Sequence, residues 1–172
     1  MKKLLLVAIL ALFVFNSGVN AQNEAGSLYI GGGFGYHTDM DDDNIGILLE
    51  GVYSFRDNIR FAAGILYYLS DDKNWGGQAI SHTMYDLNLN VHYLFRDEDK
   101  MRLYALGGIN SFRYKVSGGG FSESGDDTGL NLGAGIEYNV GAVMVFGELK
   151  LVTGDAHDNS FILHAGVRYR IK

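Results

Sequence analysis

The 172-residue chain contains no cysteine and no proline. Without cysteine it can form no disulfide, offer no thiol nucleophile and bind no zinc through thiolates. A domain built from it must be held by packing and hydrogen bonding. Without proline nothing interrupts a β-ladder, since proline removes the N–H that a central strand needs. Long apolar runs are also missing: beyond Ala21 none approaches the ~18 residues of a membrane helix, and mean hydropathy is +0.01. Any entry into a bilayer is left to strands. Positive charge is scarce, with 14 Lys and Arg against 20 Asp and Glu, so no nucleic-acid partner is expected of a chain that would repel phosphates.

What is present starts with a basic Met1-Lys2-Lys3 and an apolar stretch of twelve, Leu4 to Phe15. Asn16-Ser17-Gly18 follows, and Val19-Asn20-Ala21 supplies small or branched residues at the −3 and −1 positions of a cut after Ala21. The pattern predicts a secretory signal peptide over 1–21, too short for a stop-transfer helix. It leaves one domain over 22–172, whose formal charge changes from −6 to −8 once Lys2 and Lys3 are gone.

Alternation and turn residues predict eight strands, near 27–37, 45–56, 58–70, 81–96, 100–114, 128–139, 141–153 and 159–171. Their connections alternate in length. Long polar segments, Thr38–Asn44, Asp71–Ala79, Lys115–Asp127 and Gly154–Asp158, follow the odd strands. Tight turns at Arg56–Asn58, Arg96–Lys100 and Asn139–Gly141 follow the even ones. A barrel threaded through a membrane from the periplasm has this rhythm, with short turns inside and long loops outside. Ten residues at ~3.3 Å each, tilted by roughly 40°, rise about 25 Å, the height of the apolar band on such barrels.

Residues 85–95, YDLNLNVHYLF, show the two faces: Tyr85, Leu87, Leu89, Val91, Tyr93 and Phe95 against Asp86, Asn88, Asn90 and His92. A lipocalin-type barrel alternates too, but with its apolar face inward. Three features put it outward here. Tyr53, Phe55, Tyr93, Phe95, Tyr138 and Tyr169 lie on the apolar face at the tight-turn end, where a headgroup girdle belongs. The polar face carries a balanced set of charges, Glu50, Asp86, Glu137 and Glu148 against Arg60, Lys150, Arg168 and Arg170, able to pair in a lumen just wide enough for side chains. Gly64, Gly133, Gly135 and Gly166 on that face relieve crowding. The strand over Arg102–Phe112 has no clear register, and its faces stay unassigned.

Residues 164–171, HAGVRYRI, fit the pattern polar-x-Gly-x-x-aromatic-x-apolar through Gly166, Tyr169 and Ile171. This resembles the C-terminal signal by which bacterial outer-membrane barrels are recognised by their assembly machinery, with Ile171 where Phe is usual and Lys172 after it. Together with the signal peptide and the loop rhythm, the chain resembles the small eight-stranded OmpX/OmpA-type barrels. The resemblance implies an all-β, antiparallel, up-and-down transmembrane barrel in the outer membrane of a Gram-negative-type bacterium, with outer-membrane lipid and lipopolysaccharide as surroundings. It implies function poorly, since such barrels serve as anchors, adhesins and a few lipid-modifying enzymes.

The loops are acidic: Asp39, Asp41, Asp42, Asp43, Asp71, Asp72, Glu123, Asp126, Asp127, Asp155 and Asp158 stand against Lys73. Such charge keeps a rim soluble and monomeric, and also suits divalent cations shared with lipopolysaccharide phosphates, or a basic extracellular ligand. Asp39 to Glu50 imitates a calcium loop, but Asn44 replaces the turn glycine and an extended Asp43–Glu50 spans roughly 23 Å. For catalysis, His37 and His82 sit near the outer rim, but Ser81 and His82 are adjacent in a strand and point to opposite faces; no catalytic set and no cofactor are expected. The reading is a barrel with a packed, charge-paired lumen and a structural or surface-interaction role. A narrow solute or ion channel, a lipid-modifying enzyme and a soluble ligand-binding barrel are the alternatives.

Overall fold

The computed structural model describes residues 24–38, 45–70, 73–75, 78–98, 100–118, 120–154 and 160–171, with side chains for all of these but 73–75, 78 and 79. The expected signal peptide and the acidic stretch 39–43 lie outside the described residues. Among the described residues nine strands form, β1 (Leu28–His37), β2 (Ile45–Arg56), β3 (Ile59–Tyr68), β4 (Lys73–Trp75), β5 (Gln78–Asp97), β6 (Met101–Gly118), β7 (Phe121–Asn139), β8 (Val143–Thr153) and β9 (Ser160–Arg170). Every neighbour is antiparallel, β1 pairs with β9, and β3 pairs with β5. Those two seams close eight strands into an up-and-down barrel, with β4 appended to the outer end of β5.

The period-two pattern decides the faces. Along β2, Ile45, Ile47, Leu49, Tyr53 and Phe55 are exposed while Gly46, Leu48, Glu50, Val52 and Ser54 are buried. The same holds through residues 86–95, where Leu89 and Phe95 are 57% and 59% exposed and Asp86, Asn88, Asn90 and His92 are buried. The distribution inverts that of a water-soluble domain: the outside is apolar and the inside carries Arg60 and Arg168, each 0% exposed. On β6, Arg102, Tyr104, Leu106, Asn110 and Phe112 face the lumen and Ala105 and Ile109 face out. Its register was obscure because its lumen face holds three large apolar or aromatic residues and its outer face holds Gly107 and Ser111.

The short turns form as expected. Asn139 closes the β7–β8 turn by accepting the Gly141 N–H through Oδ1 at 3.0 Å, and Gly141 takes φ 102°, which a glycine adopts without a Cβ clash. Two of the expected long loops are corrected. Lys115–Asp127 is mostly strand, turning tightly so that Gly118 pairs with Phe121, and Asp71–Ala79 contains β4 paired with the start of β5. Ser117, Ser122, Ser124, Gly125, Asp126 and Asp127 are poor strand formers, but hydrogen bonding to an established neighbour overrides that preference. As a result β5, β6 and β7 have 20, 18 and 19 residues, against 10 to 12 in the other five barrel strands. Before Leu130, β7 pairs only with β6. Before Tyr85, β5 pairs with β6 and β4 rather than with β3. A sheet therefore projects past the rim at the loop end.

At the closing seam Gly33 faces Gly166. A Cβ on Gly33 would lie 2.2 Å from the Ala165 carbonyl oxygen, and one on Gly166 2.3 Å from that of Gly32. Backbone, not a movable side chain, stands in the way. Gly166→Val is therefore predicted to cost ~1–3 kcal/mol, read as a lowered urea midpoint of protein refolded into lipid vesicles, where no assembly machinery takes part. An unchanged midpoint would leave Gly166 no packing role.

Candidate functional site

The lumen holds a polar layer built by register. Arg168 on β9, Gly31 on β1 and Glu50 on β2 lie in one row across three strands. Gly31 has no side chain, and a Cβ there would come 2.8 Å from Glu50 Oε1 and 3.0 Å from Arg168 Cγ. The gap lets Arg168 Nε donate to Glu50 Oε1 at 2.6 Å. A second row repeats the device. Gly135 sits between Tyr104 and Glu148, and the Tyr104 hydroxyl donates to Glu148 Oε1 at 2.7 Å.

Arg168 joins these rows. Its Nη2 donates to Glu148 at 2.6 Å, its Nη1 to Glu137 and, at 3.0 Å, to the Tyr104 hydroxyl. Its guanidinium lies 4.0 Å from the centre of the Phe146 ring. Arg60 Nη1 reaches Glu137 Oε2 at 2.8 Å, and His92 stacks on Tyr104 with ring centroids 4.6 Å apart. Side chains from β2, β3, β5, β6, β7, β8 and β9 thus meet in one layer, and β1 contributes the vacancy at Gly31. Apolar groups flank it: Tyr29, Val52, Ala62 and Met144 on the turn side, and Leu48, Leu66, Tyr68, Phe112 and Ile162 toward the loops.

The expected charge set is thus partly redistributed. Glu50, Arg60, Glu137, Glu148 and Arg168 come together. Asp86 and Lys150 are buried in the lumen but one tier nearer the loops, bonded to neutral partners: Asp86 to the Tyr68 hydroxyl and to Asn110 at 3.1 Å, Lys150 to Asn88 at 3.1 Å. Asn131 bridges Asn88 and Asn90 in that tier at 2.9 and 2.8 Å. Arg170 is a correction. It pairs with Tyr29 at the last rung of the ladder, Tyr29 fills the lumen mouth, and the Arg170 side chain hangs outside the rim, 2.7 Å from Glu24. Sequence reasoning missed Arg102, buried at the turn end, where it donates to Asp97 at 2.9 Å and lies 3.6 Å from Glu137. Its position two residues past the β5–β6 turn was the available signal.

Tyr53, Phe55, Tyr93, Phe95 and Tyr169 are exposed on the outer face near the short turns, and Tyr138 is half-buried there. Gly166 lies in the seam, and the Ile171 N–H donates to the Leu28 carbonyl at 2.9 Å. Of the candidate catalytic groups, His37 is buried with Nε2 3.2 Å from Ser160 Oγ, Ser81 is exposed, and His82 is half-buried. Of the acidic loop residues, Glu123, Asp126 and Asp127 stand on the projecting sheet; Asp39, Asp41, Asp42, Asp43, Asp71, Asp72, Asp155 and Asp158 lie outside the described residues. Among the described residues no group of three His, Cys, Asp or Glu could hold a metal ion.

The model of the family described as outer membrane protein beta-barrel domain matches residues 7–168. Among solved structures, the attachment invasion locus protein Ail of Yersinia pestis is similar at 20% identity and a TM-score of 0.61, covering 86% of this chain and 99% of that one. The N-terminal β-barrel domain of Pseudomonas aeruginosa OprF aligns at 15% identity and 0.68, covering 86% and 98%. Neisserial surface protein A aligns at 17% and 0.62, covering 84% and 97%. No curated protein matches the chain.

Replacing Arg168 by Leu strands Glu50, Glu137 and Glu148 without their shared donor. Removing one partner of a buried ion pair typically costs ~3–5 kcal/mol, so the Arg168→Leu barrel is predicted to unfold at clearly lower urea concentration. An unchanged midpoint would show that the layer does not depend on this guanidinium.

Proposed function

The chain belongs to the outer membrane protein beta-barrel domain family and is a small barrel of the Gram-negative outer membrane; from that premise we propose that it is a non-conducting barrel acting at the cell surface through its loop end. The observation that carries this reading is the contrast between the two ends. The longest strands continue past the rim into a projecting sheet, while the lumen beneath is crossed by the Arg168 layer and its apolar flanks. A chain serving only as an anchor has no need of the extension, and one serving as a pore has no room for the layer.

Tyr53, Phe55, Tyr93, Phe95, Tyr138 and Tyr169 act as the girdle of the periplasmic leaflet, their rings at headgroup level. Gly166, Tyr169 and Ile171 form the signal read by the barrel assembly machinery. The partner at the other end is basic. A crystal structure of Ail holds the heparin analogue sucrose octasulfate, a polyanion, but Glu123, Asp126 and Asp127 on this sheet disfavour one here. Divalent cations shared with lipopolysaccharide phosphates suit the same carboxylates. This role calls for no catalysis; the Ser160–His37 pair is buried, with the Tyr68 ring 6.1 Å from the imidazole.

Two measurements test this. In planar bilayers the refolded protein is predicted to give no stable ohmic steps; such steps would mean the lumen conducts. Vesicles displaying the barrel are predicted to retain a lysine-rich peptide in a salt-sensitive way. Combined Glu123→Gln, Asp126→Asn and Asp127→Asn replacement should lower that retention several-fold. Retention unaffected by these changes would remove the sheet from the surface role.

A further inference from the structure

Leaving the apolar band toward the loops, the outward face of β6 passes from Ile109 through Ser111 to Arg113 and Lys115. These are the first charged side chains met on the outward face, and among the described side chains they are the sole exposed Arg and Lys at the loop end. Among the described residues they are also unpaired. At the turn end Arg96 is bonded to Glu98 and Arg170 to Glu24, whereas neither Arg113 nor Lys115 forms an ion pair with a described residue, even though Asp126 is the cross-strand neighbour of Arg113. As residues i and i+2 they project from one face with backbones about 7 Å apart.

Around them lies a shallow groove of about 440 Å³ that includes Thr83, Tyr85, Ser124 and Asp126. The hydroxyls of Thr83, Tyr85 and Ser124 supply neutral donors beside the two cations. The groove sits on ordered sheet: Tyr114 lies flat across Gly125, where a Cβ would come within 2.6 Å of its ring. Tyr67, the cross-strand partner of Tyr85, lies beside its lower edge on the same face, and Leu87 and Ile65 follow below.

We propose that this outward face of the projecting sheet binds the phosphate-bearing headgroup of an outer-leaflet glycolipid, with Arg113 and Lys115 as its cations. The proposal rests on the membrane orientation in the reading above. Two unpaired cations on an otherwise acidic end need an anion, and basic side chains next to a bilayer attract anionic headgroups. The position selects the source: the face looks sideways along the membrane, directly above the band that acyl chains cover. A soluble polyanion approaching from outside would meet Glu123, near the β6–β7 turn, first. Asp126 at the groove's edge lowers its net charge to one and offers a carboxylate that can share a divalent cation with the phosphate.

The test uses the full barrel in nanodiscs of phosphatidylcholine containing either diphosphoryl lipid A or the same lipid stripped of phosphate, with bound lipid counted by native mass spectrometry. The wild-type protein is expected to retain the phosphorylated form about tenfold more strongly, and the Arg113→Gln, Lys115→Gln protein to lose that preference, two cations being enough for a change of this size. The same difference in gel mobility between unboiled and boiled samples as in wild type would show the variant folded. Equal retention of both lipids by wild type, or an undiminished preference in the variant, would overturn the proposal. Displacement by free inorganic phosphate would also overturn it, since a soluble anion would then suffice. Orientation is read separately. The chain has no native cysteine, so Ser122→Cys labelled on intact cells by an impermeant maleimide places the sheet outside. Absence of labelling would count against the surface reading itself, whatever the lipid result.

Discussion

The structure turns on one guanidinium held where no water reaches it. Arg168 uses Nε, Nη1 and Nη2 on three carboxylates from three strands, and its plane lies on Phe146. Only a planar fork of donors can do this; a lysine ammonium is a point charge and would satisfy one or two of them. The consequence is geometric as much as energetic. Once Glu50, Glu137 and Glu148 converge on Arg168, β2, β7, β8 and β9 are fixed in relative height, because a slip of one residue would turn a charge toward the outer face. A buried ion pair adds little net stability against an apolar alternative, since desolvation offsets attraction. Its contribution here is to penalise every register but one.

The outer surface follows from the same constraint taken the other way. Inside, polar groups are held by one another, so the lumen is filled with Arg, Glu, Asn and Tyr that hydrogen-bond across it, although Arg60 Nε and Nη2 and both His92 ring nitrogens are left without a hydrogen-bond partner among the described residues. Outside, hydrocarbon offers no partner, so the wall presents Leu, Ile, Val, Phe and Tyr, with charge tolerated only beyond the rims. Glycine mediates between the two at Gly31 and Gly135, where a missing side chain lets long partners from the flanking strands touch. A fully side-chain-lined lumen of eight strands would be overfilled. The proposed surface role accordingly falls not to the lumen but to the sheet that β5, β6 and β7 carry past the loop-end rim.

Much of this was legible in the sequence because a membrane barrel writes both its faces into a period of two. The residues 85–95 declare an outer and an inner face without help from any neighbour, and Glu50, Arg60, Glu137, Glu148 and Arg168 follow by phase. Phase alone fails where the lumen face carries large apolar or aromatic residues, as at Tyr104 and Leu106, so Arg102 stayed hidden until its neighbours fixed β6. It fails again at strand ends: Arg170 keeps the phase of Arg168 but has run past the wall that would enclose it. The projecting sheet was illegible for a third reason. Residues 115–127 read as loop by composition; 115–117 become strand by pairing with β5, itself extended, and 121–127 by pairing with β6. Asp86 and Lys150 show that phase gives the face but not the tier, which depends on strand stagger.

The most direct test of the central claim is a distance measurement by solid-state NMR on protein in lipid bilayers, with arginine labelled in nitrogen-15 and glutamate in carbon-13. The account predicts that Arg168 guanidinium nitrogens show dipolar contacts to the side-chain carboxyl carbons of Glu50, Glu137 and Glu148 together, each within ~4 Å, as direct charge-assisted hydrogen bonds require. Contact with one carboxylate alone, or a guanidinium exchanging freely with water, would contradict it.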